Sequence, residues 1–204
     1  MFITEGEHTV ICPKEGDLIL DIGCRHFTFS KAMQSRGCIC YALEPDANVK
    51  APEGIQLYHG AIAPQENSGK ASTLIMWSSG EGNHLDSISG GIPESHTTQE
   101  VRCISIVDIS KHFNVTHWDI VKMDCEGSEY RVLLDWPGPI ATQIAIEFHD
   151  FTGANPEGEE MHKRIIEHLS QWYYVVRHEK DERCAAKVTN YWDSLFVLKG
   201  TPNV

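Results

Sequence analysis

The 204-residue chain lacks any apolar run approaching the roughly 20 residues that a membrane-crossing helix needs. It is also short of positive charge. Its 17 lysines and arginines face 29 aspartates and glutamates, a formal net charge of −12, and no basic cluster is available to hold a phosphate backbone or an anionic bilayer. The opening residues, MFITEGEHTVICPKEGD, carry acids where a secretory leader would carry Lys or Arg and a long apolar core. These absences predict a cytoplasmic protein with neither nucleic-acid nor membrane partners. Also missing is the cysteine pattern of a stapled or zinc-bound domain. The seven cysteines are odd in number, and Cys38-x-Cys40 has no second CxC or CxxC to complete a four-ligand site. Cys38 and Cys40 would share one face of a strand and are read as buried free thiols acting as small hydrophobes. There is no internal repeat and no low-complexity segment.

What is present is an alternation of short apolar runs with helix-like stretches, in a length that suits one domain burying roughly 70% of its unfolded surface. Strands are predicted at Asp17 to Ile22, Cys38 to Leu43, Ile55 to Tyr58 with a continuation toward Ile62, Trp118 to Met123, Gln143 to Phe148, Tyr173 to Val176 and Ser194 to Leu198. Helices are predicted at Thr28 to Arg36, stopped by Gly37, at Glu126 to Trp136, stopped by Pro137-Gly138, and at Glu157 to Gln171. Strands alternating with helices make crossover units and a mainly parallel, doubly wound α/β sheet covered on both faces. The crossover between the second and third strands, Asp46 to Gly54, is too short for a full helix. Between Ala63 and Glu100 the runs STLIMW and VRCISIV flank a Gly/Ser-rich stretch, read as an antiparallel excursion with a mobile tip at Gly80 to Gly91. Histidines 162, 168 and 178 read as surface residues, Trp172, Tyr173 and Tyr174 as core, and Asp181-Glu182-Arg183 as a solvated turn.

Two motifs carry chemistry. Asp21-Ile-Gly23-Cys24-Arg25 ends the first strand and enters a helix, and Glu44 ends the second strand. Such a loop brings a ligand to backbone N–H groups, and an acid some 20 residues on can accept the protons of ribose hydroxyls. A nicotinamide site obeys the same logic, but of its glycine triplet only Gly23 is present. The second motif, Lys122-Met-Asp124-Cys-Glu126-Gly127-Ser-Glu129, places a lysine and several acids around a strand end. Glu126 and Glu129 suit the first turn of a helix. Asp124 falls at the carboxyl end of a buried strand, where open sheets bind ligands, and Glu147 and His149 share one face of the neighbouring strand.

Order and spacing of LDIGC at 20–24, ALEP at 42–45, KMDCEGSE at 122–129 and IAIEFHD at 144–150 resemble the FkbM-type S-adenosylmethionine-dependent methyltransferases. LYHGAIA at 57–63 is similar to that family's third-strand end, and YWDSLFV at 191–197 to its closing strand. The resemblance implies a single methyltransferase-like domain over residues 1–204, with the antiparallel excursion at about 64–106. It implies a Rossmann-like sheet of seven strands, mostly parallel, whose last strand runs antiparallel. It further implies S-adenosyl-L-methionine as cofactor, held by Asp21, Gly23, Cys24, Arg25, Glu44, Ala61 and Asp124, and methyl transfer to a hydroxyl of a small molecule or saccharide. The family loop usually reads D-I-G-A-N-x-G; here Arg25 stands for the Asn and Phe27 for the second Gly. Asp124, Glu147 and His149 are the catalytic candidates. His149 is the proposed base, its ring oriented by Glu147 or Asp150, and a divalent cation on Asp124 and Glu147 is the second choice. Two other readings stay open: a ligand-binding domain impaired by Arg25 and Phe27, and an NAD(P)-dependent oxidoreductase.

Overall fold

The structure is a computed structural model and describes residues 1–77, 84–85, 96–151, 158–180 and 189–202. Its elements in chain order are β1 (Phe2–Glu5), β2 (His8–Ile11), β3 (Leu18–Ile22), α1 (Thr28–Gln34), β4 (Ile39–Glu44), β5 (Gln56–His59), β6 (Ala61–Ile62), β7 (Ala71–Trp77), β8 (His84–Leu85), β9 (His96–Ile104), α2 (Ile106–His112), β10 (Trp118–Met123), α3 (Glu129–Leu134), β11 (Ala141–Phe151), α4 (Gly158–Leu169), β12 (Tyr173–Lys180) and β13 (Thr189–Leu198). Seven strands form the main sheet in the order β12-β13-β11-β10-β3-β4-β5. Pairing is parallel from β11 to β5, and β13 runs antiparallel to both its neighbours. This is the expected doubly wound, mostly parallel sheet with a reversed last strand. Among the described residues no helix is long and apolar enough to cross a membrane.

The central strands are apolar on both faces because both faces are covered. Leu20, Ile22, Val121, Met123, Ile144 and Ile146 pack on the side of α2, α3 and α4 with Leu133, Ile165 and Leu169. Alternate residues, Ile19, Ala42, Ile120 and Ala145, face the other way and pack with Phe29 and Met33 of α1 and Val10 of β2. No helix lies between β4 and β5, as the short crossover predicted. The N-terminal hairpin β1–β2 was not anticipated. It lies over β11, where Gln143 Oε1 accepts from Ile11 N at 2.7 Å.

Other boundaries moved for identifiable reasons. The third strand does not continue to Ile62. It stops at His59, and after Gly60 the chain crosses to pair β6 with β9. A side chain at Gly60 would lie 2.9 Å from the Arg102 carbonyl oxygen, so only glycine allows that crossing. The run VRCISIV is half strand and half helix. Ser105 accepts from Asp108 N at 3.1 Å and caps α2, a Ser-x-x-Asp pattern that overrides the β-branched residues after it. β7 and β9 form the antiparallel excursion. The tip at Gly80 to Gly91 falls, apart from 84–85, outside the described residues, as does the 181–183 turn.

His162 is not a surface residue. It is 5% exposed, with Nε2 2.9 Å from the Tyr130 hydroxyl, Nδ1 3.3 Å from His178 Nε2, and the rings of Phe148 and Trp192 around it. His168 is tied to the Trp136 carbonyl, and Tyr174 is exposed rather than core. Burial, then the neighbouring His178, lowers the pKa of His162 from 6.5 to about 4. The unfolded chain therefore takes up this proton first. The contribution to stability is complete above pH 6.5 and is lost as pH falls toward about 4, worth about 2–3 kcal/mol. In thermal unfolding, the stability gap between the parent and His162→Phe should narrow or reverse from pH 7 to 4.5. A gap that stays constant would remove His162 as an acid-sensitive element.

Candidate active site

The carboxyl ends of β3 and β10 meet at one buried cation. Lys122 is opposite Asp21 in the parallel register, and its Nζ lies 3.1 Å from Asp21 Oδ1 and 3.4 Å from Asp124 Oδ2. Nζ also donates to the Gly23 carbonyl at 2.8 Å. Burial works against the charge on Lys122, but Asp21 and Asp124 outweigh it and raise its pKa. The other oxygen of Asp21 accepts from Ser30 N and Ser30 Oγ, pinning the first turn of α1 to the strand. Asp21 thus acts on the loop from beneath. Gly23 is at φ +76°, and a Cβ there would lie 1.7 Å from the Asp124 carbonyl oxygen, so the two strand ends approach only because this residue is glycine.

Above this clamp opens a cavity of about 370 Å³, and all of Asp21, Gly23, Cys24, Arg25, Glu44, Ala61 and Asp124 line it. Glu44, at the end of β4, is 3% exposed, with Oε1 accepting from Asp46 N at 3.0 Å and its pKa raised by burial. Arg25 turns toward the same strand end. Its Nη1 is 3.8 Å from Asp46 Oδ2 and makes no hydrogen bond. Phe27 adopts the left-handed conformation at φ 53° at the start of α1 and is buried in the α1-side core, where it also forms part of the cavity wall. Burial raises the Cys24 thiol, which makes it a lining group rather than a nucleophile.

Next to the cavity stands a second group of residues with Asp124 in common. His149 is 3% exposed. Its Nδ1 is 3.0 Å from Glu129 Oε1, while Nε2 has Glu126 Oε2 at 3.5 Å, Asp124 Oδ1 at 3.6 Å and Glu147 Oε2 at 3.6 Å. The ring is oriented by Glu129, not by Glu147 as one of the two expectations had it. Glu129 is fully buried, and its carboxylate also accepts from Cys125 N and Gly127 N, both at 2.8 Å. Those bonds fold the loop between β10 and α3, where Glu126 and Gly127 both have positive φ. The helix therefore starts at Glu129, three residues later than the apolar spacing suggests. Burial, eased by His149 and reinforced by the acids around it, raises Glu126 to about 7. Burial and then Asp124 raise Glu147 to about 8. Burial opposes the charge on His149, yet Glu129 and Glu126 prevail and its pKa stands well above 6.5.

The sequence reading left out several members of this site. Lys122 and Glu129 belonged to the acidic motif but carry structural bonds invisible in the spacing. His8 comes from the hairpin, with Nε2 3.8 Å from Asp124 Oδ2. Its signal was the alternation of FITE and HTVI about Gly6.

A model of the methyltransferase FkbM domain matches residues 20–176, and the chain belongs to that family of methyltransferases. The family implies S-adenosylmethionine as methyl donor. Among solved structures, a TehB-like SAM-dependent methyltransferase from Corynebacterium glutamicum is 9% identical with a TM-score of 0.48, over 92% of this chain and 83% of that one. A dimethyladenosine transferase from Plasmodium falciparum is 10% identical with a TM-score of 0.49, over 91% of this chain and 57% of its own. Neither likeness adds to the family assignment. No curated protein matches the sequence as a significant relative.

Removing one member of a buried ion pair strands its partners, at about 3–5 kcal/mol. Lys122→Met should lower urea-unfolding stability by that amount and should abolish ligand-induced stabilisation at the cavity. Unchanged stability would show that the clamp is not what holds the strand ends.

Proposed function

We propose that this protein transfers the methyl group of S-adenosylmethionine to a hydroxyl oxygen of a small-molecule or saccharide acceptor. One observation carries the reading: Asp124 belongs both to the cavity and to the acid–imidazole cluster, so cofactor pocket and reaction centre share a wall. The cavity fits the cofactor. Glu44 is a buried acid at the strand end where ribose hydroxyls are held, and Arg25 offers a donor without a hydrogen-bond partner beside it. Phe27, packed into the core, leaves the cavity open, which favours an active enzyme over an impaired binding domain. A nicotinamide enzyme would have no use for the Asp124, Glu147 and His149 cluster.

When bound, the cofactor supplies a methyl group on a positively charged sulfur. The residues of the chain would align the attacking oxygen, which provides most of the gain, and take its proton. Asp124, Glu147 and His149, the last aimed by Glu129, together align the acceptor hydroxyl and take up its proton. A net charge of −12 favours a neutral or cationic small acceptor over a nucleic acid. The six described cysteines are free, which suits the reducing cytoplasm.

Glu44→Ala should weaken S-adenosylhomocysteine binding by about 1.5–3 kcal/mol, roughly 10- to 150-fold, because hydrogen bonds to a charged acceptor are lost. Calorimetric titration measures this directly. Equal affinity in variant and parent would take Glu44 out of the cofactor site.

A further inference from the structure

Three carboxylates converge on a single nitrogen. Around His149 Nε2 the oxygens of Glu126, Asp124 and Glu147 lie at 3.5, 3.6 and 3.6 Å, each beyond a good hydrogen bond. The candidate ligand atoms of Asp124, Glu147 and His149 all lie within 4.8 Å of one another. Bonds of about 2.0–2.2 Å in tetrahedral directions separate ligand atoms by roughly 3.3–3.6 Å. We propose that Asp124, Glu147 and His149, with Glu126 at the rim, bind a divalent transition-metal cation that holds the acceptor oxygen. The part this cation plays in methyl transfer rests on the function proposed above; its binding does not.

Three features beyond the cluster itself support the site. First, Glu129 on Nδ1 forms the carboxylate–histidine pair that orients a metal-ligating imidazole, and two backbone N–H groups lock that carboxylate in turn. Glu129 keeps the proton on Nδ1, and cation binding would release the one on Nε2, the nitrogen that faces the three acids. Second, Asp124 divides its two oxygens. Oδ2 faces Lys122 and His8, whereas Oδ1 faces His149 and is available to the cation. Third, His8 enters from a separate element, is 5% exposed, points Nε2 toward Asp124, and has no hydrogen-bond partner at Nδ1. Charge balance agrees: Asp21, Asp124, Glu126, Glu129 and Glu147 outnumber Lys122, and a divalent ion would offset part of the excess.

The donor set also indicates which ions fit. Calcium and magnesium prefer oxygen-only shells, whereas an imidazole among carboxylates suits manganese, iron, cobalt or zinc. Chelator-treated protein is titrated with Mn²⁺ and Zn²⁺ by calorimetry, without cofactor or acceptor, with Mg²⁺ and Ca²⁺ as controls. We expect one transition-metal ion per chain, affinity reduced at least 10-fold in Glu147→Gln and in His149→Asn, and no change in Glu44→Ala. Circular dichroism of the two cluster variants excludes misfolding as the cause of a loss. Failure of the parent to bind either metal, or binding that both cluster variants leave intact, overturns the inference. S-adenosylhomocysteine binding by the same chelated sample separates the two proposals: its presence without metal binding sinks only the cation, and its absence beside metal binding sinks only the methyltransferase reading.

Discussion

The ion pair network of Lys122 with Asp21 and Asp124 is the constraint from which the rest of the site follows. Two parallel strands ending side by side present carbonyls and acids to the same point. Without a cation between them the acids would repel, and burial would magnify that repulsion. Lys122 resolves it from within the sheet, 4% exposed, while also holding the Gly23 carbonyl. Because Asp21 is committed to Lys122 and to Ser30, it fixes the entry of α1. Because Gly23 carries no side chain, the Asp124 backbone can close against it. The floor of the cavity is the product of these contacts.

From this floor two groups of residues diverge along Asp124. On one side lie the backbone loop, Glu44 and Ala61, which line the cavity. On the other lies a polar centre rooted in β11 and in the tight turn before α3. That turn owes its shape to Glu129, whose carboxylate binds two backbone N–H groups and the His149 ring together. A residue in the first helical turn that reads as a cap is therefore also what aims the imidazole.

Much of the fold was legible in the sequence because buried parallel strands write themselves as apolar runs between turn residues. LILDI, ICYALE and WDIVKM each show this. That Asp21, Glu44, Asp124, Glu147 and His149 lie near one another was legible, since the register of a parallel sheet brings strand ends together. What the sequence could not show depends on direction and distance. His8 is far from the motifs in sequence and arrives by the docking of a hairpin through Gln143. Arg25 could face either end of the cavity, and only the folded loop turns it to Asp46. The start of α2 was readable from Ser105 and Asp108 but was masked by the apolar residues around them.

The central claim is that the cavity above the lysine clamp is a site for S-adenosylmethionine rather than for a nicotinamide dinucleotide. It is tested most directly by thermal unfolding of the unmodified protein with S-adenosylhomocysteine, NAD and NADP in parallel. A ligand at a hundred times its dissociation constant stabilises by about 2.7 kcal/mol, several degrees in a domain of this length. A rise with S-adenosylhomocysteine alone is the predicted result. A rise with NAD or NADP instead, or none with any of the three, would contradict the account.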